Sequence, residues 1–335
     1  MMTSLSSLAH DERSARTVLS IVAAPNDQTT GGLLGRVGAV ELLRLADADG
    51  AVPGLDQVAS AVWRERLHAA NSPDALAAQM EAFEQQGLQV LIPGERDWPV
   101  SLNDLGERTP YVLWTRGETA LLAKPLADRI TLTGARASTA YGDHMAIELA
   151  SDLALSGRAI VAGGAFGIET VAHKSALASG GSTIAVLAGG IDRAYPAGNA
   201  DLFARIEQHG LLVSEVAPGA APTRQRFLDR GRIMAALSST TVIVEAGARS
   251  GSLRVADEAA ELGRAVGAVP GPVTSAASTG SNLLIQDRRA GLVTGADDVL
   301  LLADEDKSND HHAELSRAFR IAAACDRRLP DSRGL

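Results

Sequence analysis

The sequence predicts an α/β protein: a doubly wound, mostly parallel sheet preceded by a smaller helical domain. Three observations carry this. Between residues 128 and 300, short β-branched runs alternate with alanine-rich stretches of helical character, and glycines stand at the joins. The runs are apolar throughout rather than alternating, as strands buried on both faces are. Residues 1–100 have a different texture, polar-patterned with apolar residues near helical spacing.

In chain order, residues 35–48 and 72–87 read as helices. Ser72-Pro73 is a helix start and Gly87 a stop. LQVLIP follows as a short extended segment. The strands expected are Arg129–Thr133, Ala159–Ala162, Thr183–Leu187, Leu211–Ser214, Thr241–Glu245 and Ala265–Val269. The intervening helices are Thr139–Leu155, Ile168–Ser179, Asn199–His209, Gly231–Leu237 and Ser252–Leu262. That alternation winds a sheet in both directions. The expected division is a helical domain over 1–95, the sheet domain over 96–302, and a charged tail over 303–335 with one helix at Ala313–Ala324.

The chain has 335 residues, 31 Lys+Arg against 40 Asp+Glu, and a net charge of −9. With 46% hydrophobic and 21% charged residues it is of globular composition. Its one cysteine, Cys325, excludes an intramolecular disulfide and a cysteine zinc site. No apolar run approaches the roughly 18–20 residues of a membrane helix. The opening MMTSLSSLAHDERSAR lacks a basic region followed by an apolar stretch, so a cytoplasmic protein with no membrane contact is expected. The acidic balance argues mildly against nucleic acid, but local patches decide such binding.

Two joins stand out. Ala162-Gly163-Gly164-Ala165-Phe166-Gly167 follows a strand and opens a helix at Ile168. Such glycines let backbone approach an anion at a helix N-terminus. Thr133-Gly134-Ala135-Arg136-Ala137-Ser138 makes a second join of the same kind, placing Arg136 at the carboxyl edge of the sheet. The sharpest local charge is Arg224-Gln225-Arg226-Phe227-Leu228-Asp229-Arg230-Gly231-Arg232, four arginines against one aspartate, with a phenylalanine interleaved. Arginine with an aromatic suits a phosphate backbone and an unstacked base; a solvated helix face is the plain alternative. His173, Ser250-Gly251-Ser252 and His311-His312 show no catalytic or metal-ligand pattern. No catalytic residue, metal or cofactor is expected.

From Trp98 to Ile285 the ordered motifs resemble the DprA/Smf family (DNA-processing protein A). They are Trp98-Pro99 with Leu102, Leu105, Pro110 and Gly117; Gly134-Ala135-Arg136; Gly163-Gly164-Ala165-Phe166-Gly167-Ile168-Glu169 through His173; and Gly190, Asp192 and Tyr195-Pro196 through Asn199. Ser214-Glu215, Phe227-x-x-Arg230-Gly231-Arg232, Glu245, Ser250-Gly251-Ser252-Leu253, Pro270-Gly271 and Gly280 through Ile285 complete the order. The chain departs from the pattern at Ala162 (family Ser), Glu169 (Asp), Gly231 (Asn), Arg254-Val255 and Arg289. The resemblance implies an extended Rossmann-like domain that binds single-stranded DNA, forms a homodimer and loads RecA recombinase during natural transformation. On that reading Gly134, Arg136, Gly163, Gly164 and Gly167 hold backbone phosphates. Arg224, Arg226, Arg230 and Arg232 extend the basic track. Phe166 and Phe227 are candidates for base stacking, Phe227 equally for the core. Asn199, Glu215 and Glu245 orient loops. The family's C-terminal winged helix is not expected in so short a tail. The rival reading is a nucleotide-binding enzyme or sensor of phosphoribohydrolase type, whose P-G-G-x-G-T-x-x-E motif is absent; a nicotinamide dehydrogenase fits less well.

Overall fold

Five helices come first: α1 (Glu12–Val22), α2 (Gln28–Val37), α3 (Ala39–Asp47), α4 (Gln57–His68) and α5 (Pro73–Gln85). The structure is a computed structural model that describes residues 4–69, 72–193 and 195–304. The segment 35–48, which reads as one helix, is two: α2 closes on Gly38, whose φ of 78° turns the chain before α3. Ser72 caps α5 by accepting from the Ala75 N–H, with Pro73 in the first turn. The helices enclose their own core of Leu19, Leu33, Leu42, Leu43 and Trp63, which also takes in Tyr111. Burial drives the Tyr111 phenol well above its ordinary pKa, and its hydroxyl donates to the Ala24 carbonyl at 3.1 Å.

The sheet domain runs β1 (Gln89–Leu91), β2 (Leu113–Gly117), β3 (Arg129–Gly134), α6 (Ala140–Leu155), β4 (Ala159–Gly163), α7 (Ile168–Ala178), β5 (Thr183–Val186), α8 (Ala200–His209) and β6 (Leu211–Ser214). It continues with α9 (Arg224–Ala236), β7 (Thr240–Glu245), α10 (Leu253–Glu261), β8 (Ala265–Ala268), α11 (Thr279–Gln286) and β9 (Gly291–Leu292). Among the described residues the nine strands form one sheet in the order β1-β2-β6-β5-β4-β3-β7-β8-β9. From β6 to β9 all pairings are parallel; β2 joins β6, and β1 joins β2, antiparallel. Helices α9 and α10 cover one face over Val161, Ile184, Val186 and Ile243. Helices α6 and α7 cover the other over Ile130, Leu132, Ile160 and Val242.

Several further elements differ from the sequence reading. Helix α9 begins at Arg224 rather than at Gly231: Thr223 caps it by accepting from the Arg226 N–H, and the arginine run is its first two turns. Strand β2 and helices α1, α4 and α11 were not anticipated. The helix expected at Ala313–Ala324 lies outside the described residues. No helix among the described residues is long and apolar enough to cross a membrane.

The winding fixes where a ligand can sit. From β3 the chain moves outward through β4, β5 and β6, then returns through α9 to place β7 on the other side of β3. The loops leaving β3 and β7 therefore diverge to opposite faces and open a crevice at their carboxyl ends. Leu132, fully buried on the central strand β3, anchors the face covered by α6 and α7. Leu132→Ala is expected to lower unfolding free energy by about 2–5 kcal/mol in urea titrations; a loss well under 1 kcal/mol would contradict its central place.

Candidate functional site

The crevice is a cleft of about 1160 Å³. Its walls are the loop after β3 (Gly134–Ala137), the first turns of α9, and the loop between β7 and α10 (Gly247–Ser252). Glu169 and Arg230 form its floor, with Ala165 and Tyr195 at one end.

The floor is a buried ion pair. Arg230 and Glu169 are about 6% and 5% exposed, and an Arg230 Nη2 donates to a Glu169 Oε2 at 2.8 Å. Glu169 also accepts from the Thr133 hydroxyl and from the Ala165 N–H, both at 2.9 Å. Burial alone would push its carboxyl up, but Arg230, the Ala165 N–H and the Thr133 hydroxyl together hold it below the ordinary carboxylate range. One turn further along α7, His173 is fully buried. Its Nε2 faces the Gly163 carbonyl at 2.8 Å and must donate there. Its Nδ1 lies 2.7 Å from the Thr183 hydroxyl, which is also 2.8 Å from the Ile160 carbonyl. Burial pushes its pKa down to about 4.

The glycines of the two joins serve packing. A Cβ at Gly163 would overlap the Arg230 guanidinium and lie 2.5 Å from Glu169 Oε2. One at Gly164 would sit 2.6 Å from the Phe203 ring, and one at Gly134 2.6 Å from the Glu245 carbonyl. Gly167 has a φ of 75° and lies against the Ala135 and Arg136 carbonyls. Gly163 and Gly164 are buried and, like Gly167, do not line the cleft; Gly134 does.

The expected arginine track divides in two. Arg232 is about 1% exposed and gripped at both nitrogens by Glu215, at 2.7 and 2.6 Å. Its remaining donors reach the Arg108 and Asp229 carbonyls. It lies outside the cleft, because two positions along a helix leave on nearly opposite sides: Arg230 goes to Glu169 and Arg232 to Glu215 and Arg108. Arg230 reaches the cleft as floor, not as a free cation. Arg226 donates to the Ala221 carbonyl and does not line the cleft. Arg136 and Arg224 are exposed on its walls.

Phe227 joins these layers. It is half-buried in the cleft, with the Arg136 guanidinium 4.6 Å from its ring centre and that of Arg230 at 5.1 Å. Tyr195 meets it edge-on at 6.0 Å. Phe166 is about 51% exposed but does not line the cleft. Three further residues tie the loops down. Glu245 accepts from the Thr139 N–H at 2.8 Å and its hydroxyl at 2.7 Å. Asn199 donates to the Gly164 carbonyl and to Thr170. Glu215 holds Arg232. Sequence reasoning did not single out Arg249 and Arg254 as site residues, although both are exposed and line the cleft. The available signal was a Ser-Gly-Ser turn directly after a strand, flanked by arginines. Among the described residues no carboxylate pairs with Arg136, Arg224, Arg249 or Arg254.

Residues 89–304 match the model of the family described as DNA recombination-mediator protein A. The chain belongs to this family. It is 45% identical over 237 residues to a putative DNA processing protein DprA of Mycobacterium tuberculosis, covering 68% of this chain and 60% of that relative. The chain thus spans about three-fifths of the mycobacterial protein's length. It is 31% identical to DprA of Bacillus subtilis over 265 residues, 77% of this chain and 88% of that one. Among solved structures, DprA of Streptococcus pneumoniae superposes with a TM-score of 0.70 at 29% identity, over 90% of this chain and 98% of that one. A Helicobacter pylori DprA structure, described for its single-stranded DNA binding mode, gives 0.58 at 29% identity over 65% and 97%. This likeness carries the Rossmann-like, mostly parallel fold of the family onto the chain.

Two outcomes follow from the buried floor. Glu169→Gln leaves Arg230 uncompensated and is expected to cost about 3–5 kcal/mol of unfolding free energy. Retention of full stability would show the pair to be dispensable. His173 is neutral when folded down to about pH 4 and titrates near 6.5 when unfolded, so the unfolded chain binds the extra proton between these values. Its contribution is whole above pH 6.5 and lost as pH falls to about 4, about 3 kcal/mol in all. The fall in melting temperature over that window should flatten in His173→Gln.

Proposed function

We propose that this chain is a non-enzymatic single-stranded DNA-binding protein of the DprA type, which takes the strand in the cleft at the β3–β7 switch point. It acts as a homodimer and passes the strand to RecA recombinase during DNA uptake. One observation carries the reading. Exposed arginines without carboxylate partners ring a cleft with an accessible aromatic ring, in a chain whose net charge is −9. A cationic rim suits a phosphate backbone, and a half-exposed phenylalanine offers a stacking face worth about 1–3 kcal/mol per base. Membership of a recombination-mediator family supports the same role. The Helicobacter pylori relative's description supports the ligand.

The geometry favours binding over hydrolysis. Glu169 and His173, the acid–base candidates nearest the cleft, are both committed to buried contacts. The contacts of Glu245 with Thr139, Asn199 with Gly164 and Glu215 with Arg232 support a positioning role for all three, behind the binding surface.

Fluorescence anisotropy of a labelled oligo-dT strand tests the proposal. Each single-strand phosphate neutralised contributes a slope of about −0.7 in log affinity against log salt. Three or four arginines therefore predict a slope of about −2 to −3, or roughly a 30-fold loss between about 50 and 200 mM salt. Arg136→Ala should weaken binding to all sequences about equally and reduce the slope by about 0.7. Salt-independent binding, or an Arg136→Ala protein that binds as before, would overturn this assignment.

A further inference from the structure

We propose a second phosphate subsite in the same cleft, formed by Arg249 on the loop between β7 and α10 and Arg254 in the first turn of α10, and separate from the one formed by Arg136 and Arg224. The proposal rests on the single-strand reading above and extends it: the bound strand crosses the switch point from the β3 side to the β7 side. Its ligand is a backbone phosphate one or more nucleotides removed from the one at Arg136.

The loop is built as a fixed wall. Its base, Ala246, is fully buried and accepts from the Gly280 N–H at 2.7 Å. A side chain at Gly280 would press on the Gly247 and Ala246 carbonyls, so α11 meets the loop backbone directly. Within the loop the Ser250 N–H donates to the Gly247 carbonyl at 3.0 Å, and the Ser250 and Ser252 hydroxyls lie 2.8 Å apart. Arg249 projects from this loop, and Arg254 from the first turn of α10, into solvent at the cleft edge.

The helix ends at the arginine-bearing walls of the cleft carry no acidic residue. Helices α1, α3, α5, α6, α7 and α8 each carry an acidic residue in the first turn, as the helix dipole favours. Helices α9 and α10, like α2, α4 and α11, carry none, but α9 and α10 open on arginines: Arg224 and Arg226 in α9 and Arg254 in α10. Their N-termini both border the cleft, as does that of α7, whose first-turn Glu169 is spent on Arg230. Ser252 makes no side-chain cap for α10. Two like-signed ends with arginines on them repel each other until an anion lies between them. A cleft of about 1160 Å³ also exceeds the roughly 300–1,000 Å³ of an ordinary small-ligand pocket, leaving room for more than one nucleotide.

The test is oligo-dT anisotropy over a salt series, with strands of several lengths, on the full chain and on Arg249→Gln, Arg254→Gln, the double variant and Arg254→Lys. Both side chains are exposed, so an unchanged melting temperature is expected and is checked first. The double variant should lose about 1.4 from the salt slope, two phosphates' worth. It should also weaken binding about tenfold on long strands while leaving the shortest binding strands unaffected. Arg254→Lys keeps the charge and should keep the slope. If the parent chain does not bind oligo-dT, the single-strand reading itself falls. If the parent binds and the double variant retains its slope and affinity at every length, the second subsite is overturned and the first stands.

Discussion

Arg230 and Glu169 meet at 2.8 Å beneath the cleft, each almost wholly withdrawn from water. Removing two charges from water costs several kcal/mol per ion, so such a pair survives where further hydrogen bonds satisfy both partners. Here they do: the Thr133 hydroxyl and the Ala165 N–H complete the carboxylate. These groups arrive from β3, from the loop after β4, from α7 and from α9, so the pair fastens four elements at the point where the sheet reverses direction. The absence of a side chain at Gly163 is what admits the guanidinium. The plane of Phe227 depends on the same pair, since Arg230 supports one side of its ring and Arg136 lies against it from the loop after β3.

This arrangement sorts the arginines of α9 by depth. A helix with an arginine at 224, 226, 230 and 232 cannot present all four to one ligand. The last two turn inward and are neutralised by Glu169 and Glu215. The first stands at the rim with Arg136, Arg249 and Arg254, where no described carboxylate offsets it. An acidic chain thereby keeps a local cationic field in one crevice. Under the proposed function the buried pair gives rigidity and the rim gives affinity, so substitutions in the two layers should be separable by stability and by salt dependence.

Much of the fold was legible in the sequence. The apolar, β-branched runs at 129–133, 159–162 and 211–214 fall on strands β3, β4 and β6, since strands buried on both faces show unbroken apolar runs. Strand β2 was hidden because LWTRG is short, ends in charge and glycine, and pairs with a strand about a hundred residues later. The first half of α9 was hidden by its own arginines, which mask helical periodicity; its cap at Thr223 was the local signal. At the site, Arg136, Arg224 and Phe227 were readable from motif and charge. The burial of Arg230 and Arg232 was not, because their partners stand 61 and 17 residues away and charge alone does not reveal a partner. Arg249 and Arg254 were missed for the converse reason: their place on the cleft comes from where β7 lies beside β3, a fact of winding rather than of neighbouring residues.

The most direct measurement is photocrosslinking of an oligo-dT strand carrying 5-iodouracil, followed by tryptic digestion and mass spectrometry. A base stacked in the cleft predicts the adduct on the peptide Phe227–Arg230, with loss of the adduct in Phe227→Leu. An adduct confined to Phe166, or to the helical residues 12–85, with the Phe227 peptide unmodified, would contradict a strand bound at the β3–β7 switch point.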